Sequence, residues 1–136
     1  MKQLALFLLV FLTWNVLFAQ QEFMVQGNHS GQISNSALDG VRGVLVTTGG
    51  NDSTLKFWNE KTGLLYKTID LKSSISSIQM NEKDGRLYTL GNNTITVYST
   101  TSFEKITSYQ LDKIYAINYT EINGQGALTL LARDQN

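Results

Sequence analysis

The sequence predicts an all-β protein assembled from a repeated unit of about forty residues. From residue 33 onward, short runs of β-branched, aromatic and leucine residues alternate with clusters of Gly, Asn, Asp and Ser. This alternation is typical of short strands separated by turns, and nothing in the sequence shows a sustained helical period. The 136 residues include 11 glycines and no proline, so glycine and the small polar residues must supply the turns.

The alternation predicts ten strands, in order along the chain. They are residues 33–38, 44–48, 55–59, 65–70, 75–80, 87–90, 95–99, 106–110, 114–119 and 128–131. Turn-forming clusters separate each run from the next at regular spacing, so neighbouring strands are expected to pair as antiparallel hairpins.

The repeat emerges when the chain is laid against itself at a shift of about forty positions. Residues 54–59, Thr-Leu-Lys-Phe-Trp-Asn, then fall on residues 94–99, Thr-Ile-Thr-Val-Tyr-Ser, without a gap. The flanking segments are superposed too, with 49–53 on 89–93 and 65–69 on 105–109. Turns and strands match together, and a third unit begins at Ile114.

A period of about forty residues with about four strands per unit is typical of the blades of a β-propeller. The predicted division is an N-terminal segment 20–28, blade 1 at 29–70, a degenerate blade 2 at 71–111 and a partial blade 3 at 112–136. About two and a half blades cannot close a ring, because propellers have about four to eight. The sequence is therefore expected to be the N-terminal fragment of a larger propeller.

Residues 1–19 have the pattern of a secretory signal peptide. Lys2 gives a charged start, an apolar run follows, and Ala19 supplies the small residue before a polar segment. The apolar run is short for a membrane span of about 20 residues, so no stable membrane insertion is expected after cleavage behind Ala19. A secreted, periplasmic or cell-surface location follows. Residues 22–26, just after the leader, suit a strand that would help to close the ring.

The composition excludes several classes of function. Eleven basic residues balance eleven acidic ones, so the chain has no surplus positive charge to neutralise a nucleic-acid backbone. The absence of cysteine excludes disulfides, thiolate metal sites and a cysteine nucleophile in this sequence. We predict no catalytic residue, no cofactor site and no metal site.

The first unit carries a motif that makes the resemblance specific. His29-Ser30-Gly31 precedes its first strand, and residues 48–59 read Thr-Gly-Gly-Asn-Asp-Ser-Thr-Leu-Lys-Phe-Trp-Asn. This unit closely resembles a WD repeat, with Asn28-His29 in place of the family's Gly-His and Trp58-Asn59 in place of its Trp-Asp. The resemblance implies a hydrogen-bonded structural tetrad whose members are His29, Thr48, Asp52 and Trp58. Its histidine would then be structural rather than a general base.

The second unit lacks this network. By the same shift, Tyr98 takes the tryptophan position, Asn92 takes the position of the turn aspartate, and no histidine precedes Ile75. Residues 86–98 also resemble the bacterial surface repeats named for a Tyr-Val-Thr-Asn signature. Both resemblances imply the same blade geometry.

The resemblance implies a non-catalytic scaffold that binds a protein or peptide partner through the loops and upper face of the propeller. An alternative is the propeller portion of a larger enzyme whose catalytic part follows residue 136. An exported chain of this kind resembles the front of bacterial proteins in which such repeats precede a caspase-like peptidase. A quinoprotein dehydrogenase propeller, with its quinone cofactor, is the other form of this alternative.

Overall fold

The computed structural model describes residues 27–122 and 125–132, and this part of the chain is built from ten antiparallel strands without a helix. The strands are β1 (Ile33–Asp39), β2 (Val44–Gly49), β3 (Thr54–Asn59), β4 (Leu65–Asp70), β5 (Ser77–Asn81), β6 (Arg86–Gly91), β7 (Thr94–Ser99), β8 (Lys105–Gln110), β9 (Ile114–Ile122) and β10 (Gln125–Ala132). The predicted all-β fold is confirmed, and every predicted strand overlaps an observed one. The largest differences are in the last hairpin, where β9 ends at Ile122 rather than at residue 119 and β10 begins at Gln125 rather than at residue 128.

Within each sheet, every strand pairs with its neighbour along the chain. Strands β1 to β4 form one four-stranded sheet, β5 to β8 form a second, and β9 pairs with β10 in a hairpin. We call these three units blade 1, blade 2 and the third hairpin. Within the described residues, sheets of four, four and two strands leave an unclosed ring, as the sequence predicts. The predicted leader at 1–19 and the possible ring-closing strand at 22–26 lie outside the described residues.

The apolar core lies between the stacked units. Leu55 and Phe57 of β3 are fully buried and form a cluster with Ile78 and Leu87 of blade 2. The Phe57 ring also packs against Phe103 of blade 2, with ring centroids 5.3 Å apart. A smaller cluster of Leu90, Ile95 and Ile117 joins blade 2 to the third hairpin. Burial between neighbouring sheets therefore holds the three units together.

Strand alternation divides the side chains of blade 1 between its two faces. Leu55 and Phe57 point towards blade 2, so their neighbours Thr54, Lys56 and Trp58 lie on the opposite face. Across the β2–β3 pair, Thr47 is opposite Lys56, whereas Thr48 is opposite Leu55. Adjacent threonines therefore face opposite sides of the sheet.

The antiparallel connections place the turns at two ends of each blade. The β1–β2, β3–β4, β5–β6 and β7–β8 turns lie at one end, called here the Arg42 end. The β2–β3 and β6–β7 turns lie at the other, called the His29 end.

The two turns at the His29 end differ in length, and this corrects the sequence alignment. Residues 50–53 connect β2 to β3, but only Asn92 and Asn93 connect β6 to β7. Both asparagines have positive φ, 49° and 57°, which is the signature of a two-residue type I′ hairpin turn. Gly91 is thus the counterpart of Gly49, and a shift without gaps is wrong here. Asn92 still lies two residues before β7, as Asp52 lies two residues before β3, so the two positions that the turn of blade 2 lacks come before Asn92.

Candidate functional site

A hydrogen-bonded cluster at the His29 end of blade 1 is the most elaborate polar site in the described part of the chain. His29 Nδ1 lies 2.9 Å from Asp52 Oδ2, and His29 Nε2 lies 2.8 Å from Thr47 Oγ1. Trp58 Nε1 donates to the same Thr47 oxygen at 2.8 Å. The chain of bonds thereby ties the segment before β1 to strands β2 and β3 and to the turn between them.

The structure brings together His29, Asp52 and Trp58, but the prediction of Thr48 as the fourth member is wrong. Thr47 provides the hydroxyl, since it lies on the same face as Trp58. Thr48 lies on the face towards blade 2, where its hydroxyl contacts Ser34 Oγ at 2.9 Å and accepts from Asn35 Nδ2 at 3.1 Å. Neighbouring residues of a strand point to opposite faces of the sheet. Because both candidates are threonine, the residue type did not show which of them faces Trp58.

One tautomer of His29 is compatible with every bond of this network. The Trp58 indole can only donate, so the Thr47 hydroxyl accepts from it. When the ring carries its proton on Nδ1, Nε2 accepts from the Thr47 hydroxyl and Nδ1 donates to Asp52. This tautomer gives every polar group a complementary partner. The His29 side chain is 3% exposed, so an unpaired ring nitrogen here would be costly.

Asp52 is the acceptor on which the network ends. Its carboxylate accepts from the backbone N–H groups of Ser30 and Thr54, both at 3.0 Å, and from the Thr54 hydroxyl at 2.9 Å. Burial opposes ionisation of the carboxyl group. The hydrogen bonds from Thr54, His29 and Ser30 outweigh it and lower the pKa of Asp52 from 3.8 to about 2.

Two further residues complete the site, and the sequence motif did not identify them. Thr54 contacts both Asp52 and His29 Nδ1, the latter at 3.0 Å. Gly49 borders the site because a Cβ there would collide with the Asp52 carboxylate and the His29 ring. The signal for Thr54 was its spacing of two residues after a turn aspartate, a common arrangement for a local side-chain bond.

Blade 2 holds different chemistry at the same place. Thr89 of β6 is the counterpart of Thr47, but its hydroxyl donates to the carbonyl oxygen of Thr96 at 3.2 Å. Tyr98 takes the place of Trp58 and is 5% exposed. Burial raises the pKa of its hydroxyl. Blade 2 is therefore degenerate in its polar network, although its four-stranded sheet is complete.

The geometry of the blade 1 cluster suits a structural role. Both ring nitrogens of His29 are engaged with protein atoms, whereas a general base must reach a substrate proton. Among the described residues, no group of three or more His, Cys, Asp or Glu side chains is arranged to hold a metal ion. Residues 27–122 and 125–132 also contain no helix that is long and apolar enough to cross a bilayer.

Comparison with known proteins gives three similarities. Human WD repeat-containing protein 36 is 36% identical over 59 residues, which are 43% of this chain and 6% of that protein. The Myceliophteria thermophila Cps50 (Swd1) beta-propeller domain superposes with a TM-score of 0.60 at 14% identity, over 76% of this chain and 34% of that one. Sequence and fold together support a WD-repeat β-propeller. Apo AztD from Citrobacter koseri superposes with a TM-score of 0.52 at 17% identity, over 61% of this chain and 24% of that one.

No family model matches the chain. The chain also spans only 6% of the length of the WD-repeat relative and about a third or less of the two solved chains. The likeness to the solved structures is a likeness of fold alone. Of the two blades, blade 1 is the one that resembles a WD repeat more closely, because it holds the network of His29, Thr47, Asp52 and Trp58.

Proposed function

We propose that this chain is part of a non-catalytic protein-interaction scaffold that acts outside the cytoplasm. WD-repeat propellers generally bind protein partners. The polar cluster of blade 1 supports a scaffold because its members are engaged with one another, as expected for a group that stabilises a blade. The partner would then be bound by exposed residues elsewhere on the two blades.

The observation that carries the proposal is an exposed apolar and aromatic surface at the Arg42 end. Val41 is 72% exposed, Leu64 is 65% exposed and Tyr66 is 45% exposed. The Tyr66 ring stacks on Phe103 of blade 2 at 5.1 Å. We call these four residues, together with Arg42, the Arg42 patch.

Two shallow clefts meet within this patch. One of about 300 Å³ is lined by Arg42, Tyr66 and Phe103, and another of about 310 Å³ is lined by Val41 and Arg42. Tyrosine and arginine are enriched among the residues that dominate binding energy at protein interfaces. Exposed apolar side chains beside clefts can anchor a partner side chain, so this end of the blades is the favoured binding surface.

A photo-crosslinking residue placed at position 41 of the full-length protein tests this proposal. In its native cells, we expect one dominant protein adduct, which Leu64→Ser together with Tyr66→Ala removes. Ile33 is the matched control, since it is 53% exposed and lies at the His29 end. Equal adducts at positions 33 and 41, or none at position 41, would contradict the proposal.

The extracytoplasmic part of the proposal is supported by residues 1–19 alone. Their charged start, apolar run and Ala19 fit a cleaved signal peptide. We expect N-terminal sequencing of the mature protein to begin at Gln20, and Leu8→Arg to block processing by interrupting the apolar run. Lys2→Arg is the control and should be processed normally. A mature protein that retains Met1 would rule out cleavage.

A further inference from the structure

A second buried polar cluster lies at the Arg42 end and crosses from blade 1 to blade 2. Asp39 ends β1 and its side chain is 0% exposed. Arg42 Nη1 donates to Asp39 Oδ2 at 3.1 Å, and the Arg42 backbone N–H donates to Oδ1 at 3.1 Å. From blade 2, the Thr100 hydroxyl donates to the same Oδ2 at 2.5 Å. A single buried carboxylate thus accepts hydrogen bonds from both blades.

Arg42 adds a second link across the same boundary. Its Nη1 also donates to the backbone carbonyl of Glu82 in the β5–β6 turn at 2.6 Å. Gly85 of that turn makes room for the guanidinium group, because a Cβ at Gly85 would lie 2.6 Å from Arg42 Cζ. The Thr100 N–H in turn donates to the Gly85 carbonyl at 2.9 Å. Two turns of blade 2 are therefore shaped around one ion pair of blade 1.

The corresponding turn of blade 2 is closed locally instead. Asn81 ends β5 as Asp39 ends β1, and it is also buried, at 3% exposure. Its side chain donates to Asp84 Oδ2 at 3.0 Å and accepts from the Asp84 N–H at 3.1 Å. Asp39 and Asn81 thus end equivalent strands, but the Asn81 side chain bonds within its own turn, whereas the Asp39 side chain bonds to the neighbouring blade.

We propose that Asp39, Arg42 and Thr100 form an inter-blade latch that makes blades 1 and 2 open as one unit. In repeat proteins, each unit is coupled to the next only through their shared interface, so a strong interface contact sets how cooperatively the units unfold. A buried carboxylate that loses a charged or hydroxyl partner keeps its desolvation cost without the compensating bond. Separating the blades removes the Thr100 and Glu82 contacts together, so partial opening at this boundary is disfavoured.

The Thr100 hydroxyl is the best point at which to test the latch. Thr100→Val keeps the shape of the side chain but removes its donor, and Thr100→Ser keeps the donor. The neighbouring Thr101 is exposed and is not a member of the latch, so Thr101→Val is the control. Asp39→Asn provides a second variant, which weakens the same site from the side of blade 1.

Hydrogen exchange of the full-length protein, measured by mass spectrometry on peptides from β2–β3 and from β6–β7, reports the two blades separately. We expect both blades to exchange together in the wild type, in Thr100→Ser and in Thr101→Val. In Thr100→Val their exchange rates should separate by about tenfold or more, the scale of one lost hydrogen bond to a charged group. Exchange that accelerates equally in both blades, or that does not change, would overturn the latch.

Discussion

Blades 1 and 2 share one backbone plan, but different interactions hold their strands together. Blade 1 anchors its β2–β3 turn with the Asp52 carboxylate, which accepts from His29, Thr54 and Ser30. Blade 2 joins β6 to β7 by Asn92 and Asn93 alone and buries Tyr98 where blade 1 has Trp58. The four-stranded meander therefore does not depend on the polar network.

The difference follows from the lengths of the two turns. A type I′ turn matches the twist of its flanking strands, so two asparagines with positive φ suffice. After the longer turn at residues 50–53, the backbone N–H of Thr54 at the start of β3 needs an acceptor, and the Asp52 carboxylate accepts from it. Hydrogen bonds to Asp52 thus hold the β2–β3 turn of blade 1, whereas the β6–β7 turn of blade 2 is held by its type I′ geometry and by the packing of its strands.

The largest expected effect concerns the buried apolar side chains of the third strand in each blade. Phe57→Ala removes a fully buried ring that packs on Phe103, and should lower the free energy of unfolding by about 3–5 kcal/mol. Val97 is its counterpart in blade 2 and is 5% exposed. Val97→Ala should cost about 1–2 kcal/mol. Urea denaturation of each variant measures both values, and equal losses would contradict the ranking, because Phe57→Ala removes much more buried apolar surface than Val97→Ala does.

The next largest effect concerns the Asp52 hydrogen-bond network, which is present in blade 1 and absent from blade 2. Asp52→Ala leaves His29, Thr54 and Ser30 without their acceptor, and should destabilise the protein by about 1–3 kcal/mol. The matched control is Asp112→Ala, since that aspartate is exposed in the connection before the third hairpin. Thermal unfolding of the two variants is the measurement. An equal shift in both would remove the special role of the blade 1 network.

The lowered pKa of Asp52 predicts an acid-sensitive contribution to stability. The pKa is about 2 in the folded protein against the ordinary 3.8, so the folded state favours the ionised carboxylate. This contribution is fully present above pH 3.8 and is lost as the pH falls through that value towards 2. Unfolding midpoints between about pH 5 and pH 2 should therefore converge for the wild type and Asp52→Asn. A constant difference across this range would contradict the assignment.

The sequence predicted the strands well because alternation and turn-forming residues are local signals. All ten strands were found, whereas the contact of His29 with Asp52, across 23 positions, was implied by the resemblance to a WD repeat and not by a local pattern. The choice between Thr47 and Thr48 depended on which face each residue occupies, and residue type cannot decide it. The strand before the turn at Asn92 was misaligned because a fixed shift assumes turns of equal length. The link from Asp39 to Thr100 depends on how two sheets stack, which no local pattern records.

The smallest expected effect concerns the residue before the third strand of each blade. Ser53 and Asn93 both have positive φ, 49° and 57°, and their carbonyls accept from Leu71 and Leu111 at 2.7 and 2.9 Å. Asparagine tolerates this conformation better than serine does. Ser53→Gly removes a left-handed cost of about 1–2 kcal/mol and loses about 0.4–1 kcal/mol to the entropy of the unfolded chain, so it should stabilise the protein slightly, whereas Asn93→Gly should change its stability less. Thermal unfolding compares the two variants. A larger gain at Asn93 would mean that the turn of blade 2, rather than that of blade 1, is the more strained.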